Sequence, residues 1–201
     1  MIRIATTDDA EELLRIYQEY VLHTAITTEY DVPAVPVFRE RIRRTLERYP
    51  YLVSIHDGRI CGYTYAGPFR VRPAYGWAVE TSIYVDRQVQ KHGVGRELYQ
   101  ALERALQLQN ILNMNACIGY PDVEDEYLTK NSFCFHEHMG FQQAAKFHMV
   151  VYKFRRWYST VWMEKFIGQH TEQPLPVRPF PEIAEVFLAQ QRKSEKSKKK
   201  A

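Results

Sequence analysis

Apolar residues near the start of the chain recur at helical intervals, and the interval then changes to that of a strand. Between residues 13 and 21 they fall on one face of a helical wheel, which predicts an amphipathic helix. The same spacing predicts a second helix over 38–49, which Pro50 ends. Two apolar runs follow at 51–56 and 60–67, and the Asp-Gly dipeptide between them is typical of a β-hairpin turn.

The rest of the chain alternates between short strands and helices. Further strands are predicted over 2–5, 77–85, 113–118, 147–152 and 158–166, and further helices over 96–109 and 132–140. The resulting order, β-α-α-β-β-β-α-β-α-β-β, predicts an α/β fold (an α+β mixed sheet) with parallel and antiparallel strands. We place one domain at 1–167 and a C-terminal extension at 168–201, because the later segment is interrupted by prolines and ends in a lysine-rich tail that we expect to be disordered.

Composition excludes an unfolded chain and gives no net-charge argument for a specific nucleic-acid partner. The 201 residues are 45% hydrophobic and 13% aromatic, which is enough apolar material for a core. The formal charge is +3, but residues 192–201 hold six basic side chains and one acidic one, so the remainder has 21 basic and 23 acidic residues. Weak RNA binding through the tail stays open as an alternative.

Cysteine content and apolar runs indicate a cytoplasmic protein. Cys61, Cys117 and Cys134 are far apart and form no Cys-x-x-Cys pair, which favours a reducing compartment over a disulfide framework. The N-terminal residues lack the basic start and apolar run of a secretory signal, and no stretch has the roughly 18 apolar residues of a membrane span. We therefore expect a soluble, cytoplasmic protein without membrane attachment.

The segment between the fourth predicted strand and the next helix contains two close glycines. Gly93 and Gly95 let the backbone approach a ligand, and the helix N-terminus directs unpaired N–H groups to the same point. This arrangement predicts a phosphate site, to which Lys91 and Arg96 add charge. Leu98 stands where a dinucleotide fingerprint has its third glycine, and the Gly-Lys-Ser/Thr ending of a P-loop is missing. Taken alone, the turn is also compatible with a plain strand-to-helix connection.

Residue identities around this turn resemble a known superfamily. The segment Gln-Lys-His-Gly-Val-Gly at 90–95 resembles the pyrophosphate-binding motif of the GNAT superfamily of acyl-CoA N-acyltransferases. Four stretches are similar to the phosphinothricin acetyltransferase family within it: Ile-Tyr-Gln-Glu and Val-Leu in 16–22, Tyr-Ala-Gly-Pro-Phe-Arg-Val-Arg-Pro-Ala-Tyr-Gly-Trp at 65–77, Val-Glu-Thr-Ser-Ile-Tyr-Val at 79–85, and His-Glu-His-Met-Gly-Phe at 136–141. The resemblance spans about residues 2–167 and implies a splayed central sheet flanked by helices.

The resemblance implies an acetyltransferase that uses acetyl-CoA as co-substrate and forms a homodimer. Its acceptor is a small-molecule amine of the phosphinothricin or methionine sulfoximine type, acetylated by direct attack. The cofactor-binding residues implied are Ile83, Tyr84, Val85, Gln90, Lys91, His92, Gly93, Val94, Gly95, Arg96, Asn131 and Ser132. Helix capping is an equally good explanation for Ser132.

Glu80 is the predicted general base. An amine is protonated at neutral pH and must lose a proton before it attacks a thioester, and a carboxylate beside the thioester can accept that proton through water. Glu80 lies in an otherwise apolar strand, where burial raises the pKa of a carboxyl. The resemblance gives the glutamate of this strand the same role. The alternative is a strand carboxylate that points to solvent.

His136 is the predicted general acid for the departing CoA thiolate, or a proton-relay partner of Glu80. It lies in the short helix four residues before Gly140, where the resemblance implies a histidine that assists catalysis. The alternative is a histidine that packs or caps the helix. The histidines of the chain show no clustered metal-ligand spacing, so we propose no metal site.

Arg72 and Tyr75 are the predicted substrate-binding residues. A guanidinium binds a carboxylate through two parallel hydrogen bonds, which suits an acceptor with an amino-acid-like end. Arg70 and Arg72 both precede the Glu80 strand, and the resemblance implies that the second arginine binds substrate. The alternative is a solvated loop charge.

The sequence departs from the family at two places in the region that recognises the acceptor amine. Thr129 stands where the family has an asparagine, in a longer and more acidic loop, and Trp157-Tyr158-Ser159 replaces the family's Trp-x-Asp. A different acceptor therefore stays open, either a protein N-terminus or a polyamine. A non-catalytic acetyl-CoA-binding module is a further alternative.

Overall fold

The computed structural model describes residues 1–89 and 93–198. Its strands are β1 (Ile2–Ile4), β2 (Tyr51–His56), β3 (Arg59–Pro68), β4 (Ala78–Val85), β5 (Asn113–Tyr120), β6 (Gln142–Lys153) and β7 (Arg156–Phe166). The helices are α1 (Ala10–His23), α2 (Val35–Leu46), α3 (Val94–Leu108), α4 (Asn131–His138) and α5 (Phe180–Lys198). The predicted order of strands and helices is confirmed as far as β7.

The seven strands form one mixed sheet in the order β1-β2-β3-β4-β5-β7-β6. The β4–β5 pair is parallel, and the other neighbouring pairs are antiparallel. Parallel pairing joins only Ala78–Glu80 to Asn113–Asn115, although both strands continue beyond these residues. The sheet therefore opens after Glu80, and the mixed, splayed sheet that the sequence predicted is confirmed. We call this opening the β4–β5 fork.

Helices cover both faces of the sheet. Leu98 and Leu102 of α3 are fully buried in one apolar cluster, which also contains Val79 of β4. Leu13 of α1 is fully buried in a second cluster, against which Tyr84 of β4 packs. Because successive strand residues point to opposite faces, odd-numbered β4 residues face α3 and even-numbered ones face α1 and α2.

The C-terminal segment contains a helix that the sequence analysis did not predict. In α5, Phe180, Ile183 and Phe187 are buried in the same cluster as α3, at spacings of three and four. The segment before α5 is held by Gln109, whose Nε2 donates to the carbonyls of Arg48 and Arg178 at 2.8 Å each. The structure thus differs from the predicted disordered tail over 192–198, which is the end of α5, while 199–201 lie outside the described residues.

No helix within the two described ranges combines the length and apolar character needed to cross a membrane. The domain boundary placed at 167 stays a prediction.

Candidate active site

Glu80 is the last residue of β4 that pairs with β5, and polar contacts fix the strands at this point. The Thr81 hydroxyl donates to the carbonyl of Asn115 at 3.1 Å. The Asn115 side-chain amide donates to the carbonyl of Val79, also at 3.1 Å. Thr81 and Asn115 are both buried, so these hydrogen bonds are shielded from water and hold the base of the fork in one geometry.

The predicted phosphate turn leads into α3 through Gly93, whose φ of +80° lies in the left-handed region that favours glycine. The first N–H group of α3 with an acceptor inside the helix is that of Glu97, bonded to the Gly93 carbonyl at 3.0 Å. The N–H groups of Val94, Gly95 and Arg96 have no acceptor among residues 1–89 and 93–198, and they lie at the positive end of the helix dipole. The predicted cofactor residues Gln90, Lys91 and His92 lie outside the described residues.

Gly95 also permits a close approach between α3 and α4. A Cβ atom built at this position would lie 3.2 Å from the Phe135 ring. A larger residue at position 95 would therefore require the Phe135 ring to shift by a few tenths of an ångström. The two positions thus require glycine for different reasons. Gly93 adopts a left-handed backbone conformation, and Gly95 leaves room for the Phe135 ring.

The open edge of β4 is formed by the odd-numbered residues beyond Glu80. The Asp86 N–H bonds the Cys61 carbonyl on β3, so the backbone groups of Ile83 and Val85 face away from β3, towards the fork. The Val85 N–H donates to the Tyr20 hydroxyl at 3.2 Å, and that hydroxyl donates to the Val85 carbonyl.

Tyr84, another predicted cofactor residue, has its side chain on the opposite face. Its ring centroid lies 5.0 Å from that of Tyr17 and 5.2 Å from that of Tyr20. The backbone of Tyr84 pairs with Tyr63 of β3. Of the three predicted β4 residues, Ile83 and Val85 therefore turn their backbone groups towards the fork.

Glu80 projects to the face of α1 and α2, beside Arg70 and Cys117. Burial raises the pKa of Glu80, and the Arg70 charge lowers it by a smaller amount. Burial also raises the pKa of the Cys117 thiol to about 11, and the Glu80 carboxylate adds to this rise. The raised pKa of Glu80 suits a general base, because it brings the carboxyl closer to the pH at which it must accept a proton.

His136 is 3% exposed and hydrogen-bonded at both ring nitrogens. Its Nδ1 lies 2.7 Å from the Ser132 carbonyl, and its Nε2 lies 2.8 Å from the Tyr99 hydroxyl. A carbonyl only accepts, so Nδ1 carries the proton and Nε2 accepts from Tyr99. Burial lowers the pKa of His136 to about 4, which keeps the imidazole neutral at pH 7.

The structure brings His136 together with Tyr99, on the face of the sheet opposite Glu80. The Tyr99 hydroxyl lies 3.3 Å from the Thr81 hydroxyl, and Thr81 follows Glu80 in an extended strand. Their side chains therefore point to opposite faces. Tyr99 was missed by the sequence analysis; its only signal there is a polar hydroxyl next to Leu98, inside the apolar face of α3.

The structure places Arg70, rather than the predicted Arg72, near Glu80. The Arg70 guanidinium carbon lies 4.5 Å from the ring centroid of Phe69 and 5.2 Å from that of Trp162. Arg72 is exposed, and within the described part of the chain its side chain has no hydrogen bond or ion pair. The predicted substrate residue Tyr75 packs edge-to-face on Phe69, with ring centroids 5.8 Å apart.

A cavity of about 580 Å³ extends from the fork along the Glu80 face. Ala78 and Asn115, which flank Glu80 in the sheet, both contribute to its wall. Its other walls are rich in aromatic side chains, and they include Phe69, Arg70, Tyr75, Trp77, Phe147, Trp162, Glu164 and His170. The cavity has the size of a small-molecule site.

Asn131 and Ser132 begin α4, and neither caps it. The N-cap position is Lys130, without a side-chain cap bond, so the capping explanation for Ser132 is excluded. Ser132 instead uses its carbonyl to hold His136. Asn131 is exposed, and its N–H bonds the Thr129 hydroxyl at 3.4 Å.

The two sequence departures from the family form one structural unit. The Tyr158 hydroxyl donates to Asp125 at 2.9 Å, and the Ser159 hydroxyl donates to Asp122 at 3.0 Å. Arg156 adds ion pairs of 2.8 Å to Asp125 and Glu126. The hairpin residues that replace the family's Trp-x-Asp thus hold the longer acidic loop against β7.

Within residues 1–89 and 93–198, no group of three or more His, Cys, Asp or Glu side chains is placed to hold a metal ion.

Comparisons with known proteins identify relatives that span most of the chain. The family described as an acetyltransferase (GNAT) domain matches residues 2–162. A phosphinothricin N-acetyltransferase of Streptomyces viridochromogenes is 29% identical over 183 residues, which is 90% of this chain and 95% of the relative. An L-methionine sulfoximine/L-methionine sulfone acetyltransferase of Salmonella typhimurium is 29% identical over 170 residues, which is 84% of this chain and 95% of the relative.

The fold is similar to that of a solved relative. The crystal structure of a GNAT superfamily phosphinothricin acetyltransferase from Sinorhizobium meliloti in complex with AcCoA has a TM-score of 0.79 and 28% sequence identity. The similarity covers 90% of this chain and 97% of that chain. With the match over residues 2–162, this chain belongs to the GNAT family of acetyl-CoA-dependent N-acetyltransferases and is similar over most of its length to phosphinothricin acetyltransferases.

Proposed function

We propose that this enzyme transfers the acetyl group of acetyl-CoA to the primary amine of a small, amino-acid-like acceptor by direct attack. The observation that carries the proposal is the position of Glu80, at the base of the β4–β5 fork and beside a cavity of about 580 Å³. The relatives named for phosphinothricin and methionine sulfoximine support an acceptor of this class. No covalent acetyl-enzyme is part of the proposal.

The cofactor would lie along the open edge of β4. Its pyrophosphate would rest on the N–H groups of Val94, Gly95 and Arg96, which have no acceptor inside α3. The pantetheine arm would follow the Ile83 and Val85 backbone down to the fork, and Asn131 and Ser132 would border it from α4. Val85 and Glu80 are five residues apart, or about 17 Å in an extended strand. The Tyr20 hydroxyl competes for the Val85 groups, so cofactor binding would displace it.

Glu80 would accept the amine proton, through a water molecule. Burial raises the pKa of Glu80, which strengthens it as a base, while the Arg70 charge keeps the carboxylate form accessible. The amine then attacks the thioester carbonyl, and the C–S bond breaks to release the CoA thiolate. The thiolate must take up a proton to complete the reaction.

We assign His136 a positioning role at this end of the reaction, acting through Tyr99; the proton for the thiolate would come from water, because Tyr99 directs its own proton at His136 Nε2. The neutral imidazole directs its Nε2 lone pair at the Tyr99 hydroxyl, which lies between it and Thr81 at the fork. This geometry supports an oriented Tyr99 hydroxyl on the side of the fork opposite Glu80. The sequence analysis predicted His136 itself as the acid, and the neutral state of the ring favours the indirect role.

We also propose that the enzyme is a homodimer that buries exposed apolar side chains of the β6–β7 hairpin. Several large apolar side chains on this hairpin are exposed: Phe147, Met149, Val150, Tyr152 and Trp157. An exposed patch of this kind marks an association surface, and β6 is an edge strand of the sheet. Sedimentation equilibrium tests it: wild type should have twice the monomer mass, and Val150→Lys should weaken the association.

Release of free thiol from acetyl-CoA in the presence of an amine tests the proposed reaction. The panel contains phosphinothricin, methionine sulfoximine, free amino acids, spermidine and short peptides. We expect turnover of an amino-acid-like amine and a loss in Glu80→Gln of about 10²- to 10⁴-fold in kcat/KM. Glu185→Gln, at an exposed position of α5, is the matched control and should act like wild type.

Two results would contradict the proposal. Acetyl-CoA binding without transfer to any amine would identify a binding module. Unchanged turnover in Glu80→Gln would show that Glu80 is not the general base.

A further inference from the structure

The acceptor cavity has a wall that lies outside the matched family domain. His170, Thr171 and Pro174 line the cavity, whereas the family match ends at residue 162. These three residues belong to the C-terminal segment between β7 and α5. The segment therefore contributes to the cavity in addition to the sheet and the loop after β3.

Specific hydrogen bonds hold this wall in place. His170 Nε2 lies 2.7 Å from Asn113 Oδ1, and the Phe166 and His170 rings are 5.1 Å apart. On the far side, the Trp77 indole N–H donates to the Leu175 carbonyl at 2.8 Å. Since one end of the segment is tied to β5 and the other to the residue just before β4, residues 170–174 form a fixed boundary of the cavity.

The opposite wall is aromatic and has one cation at the Glu80 end. The rings of Phe69 and Trp162 pack edge-to-face with centroids 5.5 Å apart, and the Arg70 guanidinium lies over both. Within the described residues Arg70 makes no ion pair, and its hydrogen bond goes to the Phe69 carbonyl. An unpaired guanidinium near Glu80 is suited to bind the carboxylate of an amino acid whose amine meets Glu80.

The size and chemistry of the rest of the cavity then select the acceptor's side chain. A small, charged side chain would leave the aromatic rings of Tyr75, Trp77 and Trp162 in contact with water. A large apolar side chain would cover them and gain free energy in proportion to the buried area.

We propose that the acceptor is a free α-amino acid with an aromatic or other large apolar side chain, which lies between Trp162 and the wall formed by residues 170–174. This inference rests on the proposed function and adds the substrate class to it. The carboxylate binds Arg70, the amine meets Glu80, and the side chain fills the cavity towards Thr171.

A pair of substitutions in the wall tests the assignment. Thr171→Trp places a large side chain on a residue that lines the cavity, and Glu172→Trp places the same side chain on the adjacent exposed residue outside the lining. The assay measures kcat/KM for tryptophan, phenylalanine, methionine, alanine, phosphinothricin and a Phe-Ala dipeptide. Thermal unfolding confirms that both variants fold.

We expect wild type to prefer tryptophan or phenylalanine over alanine and phosphinothricin by at least about tenfold. Thr171→Trp should remove this preference by lowering kcat/KM for the large acceptors about tenfold or more, with little change for alanine. Glu172→Trp should retain the wild-type ranking.

A preference for phosphinothricin or alanine would overturn the inference and leave the proposed acetyl transfer intact. The same would follow from an equal loss for all acceptors in Thr171→Trp, or from turnover of the dipeptide alone. If no amine is acetylated, the proposed function fails and this inference fails with it.

Discussion

The Tyr99 hydroxyl and His136 Nε2 lie 2.8 Å apart inside the protein, where both side chains are almost completely buried. The pair connects α3 with α4, and its oxygen lies 3.3 Å from Thr81 at the β4–β5 fork. An imidazole bonded at Nδ1 to a carbonyl has one remaining lone pair, and Tyr99 supplies the proton for it. A buried hydrogen bond therefore joins the two helices that border the proposed cofactor, close to the base of the fork.

Tyr99→Phe should lower both stability and turnover. The substitution keeps the ring but leaves the buried His136 Nε2 without a donor, which costs about 1–3 kcal/mol. Denaturant unfolding measures the first effect. For the second, we expect kcat to fall while KM for acetyl-CoA changes little, because the proposed phosphate contacts are at the other end of β4. A raised KM with unchanged kcat would place Tyr99 in cofactor binding instead.

The stability of the protein should decrease between pH 6.5 and pH 4 through His136. Burial lowers the pKa of His136 from its ordinary 6.5 to about 4, so the unfolded chain takes up a proton before the folded one does. The stabilising contribution is complete above pH 6.5 and is lost as the pH falls to about 4, with a magnitude of roughly 3 kcal/mol. Chemical unfolding of wild type and His136→Gln at several pH values measures it. Identical pH slopes for both proteins would contradict a buried neutral imidazole.

Glu80 should give a rising limb in the pH profile of kcat/KM. Only the carboxylate accepts a proton, and burial raises the pKa of Glu80, so activity increases with pH through that raised value. For stability the sign is opposite. The protonated carboxyl stabilises the folded protein below the pKa that Glu80 has in the unfolded chain. This stabilisation is lost as the pH rises through the higher pKa of the folded state. Glu80→Gln should therefore lose the limb and be more stable than wild type at pH 8; a less stable variant would contradict this electrostatic cost.

Arg70 and Arg72 should behave differently when replaced by alanine. The Arg70 charge lowers the pKa of Glu80, so Arg70→Ala should move the rising limb to higher pH and raise KM for the acceptor. Arg72 is exposed, and its side chain has no described partner; Arg72→Ala should leave the limb in place. The two pH profiles distinguish the arginine assigned by resemblance from the one that the structure places near Glu80. A raised acceptor KM in Arg72→Ala alone would restore the original assignment.

Helix α5 should be an integral part of the folded domain. Phe187 is 0% exposed, and Phe187→Ala should destabilise the protein by about 3–5 kcal/mol. Val186 on the same turn is 49% exposed, and Val186→Ala should cost much less. Denaturant unfolding of both variants compares them directly. Equal small effects would show that the C-terminal segment unfolds separately.

Local sequence patterns were sufficient for most strands and helices, but they misled at the C-terminus. Phe180, Ile183 and Phe187 have helical spacing in the sequence, yet prolines precede them and a run of lysines follows. The sequence analysis therefore predicted no helix in this extension and a disordered lysine-rich tail at its end. Their burial against α3 stabilises the segment as a helix, since a helix in a protein gains most of its stability from packing of its apolar face.

The sequence by itself determined the order of elements as far as β7, the glycine turn before α3 and the strand that carries Glu80, because periodicity, turn chemistry and helix termini are local properties. Tertiary structure decided which arginine lies near Glu80, which face His136 occupies and what closes the cavity. These features depend on contacts across long stretches of chain, such as Tyr99 with His136 over 37 positions and Trp77 with Leu175 over 98. Strand pairing and helix packing bring such residues together, and no local pattern encodes the result.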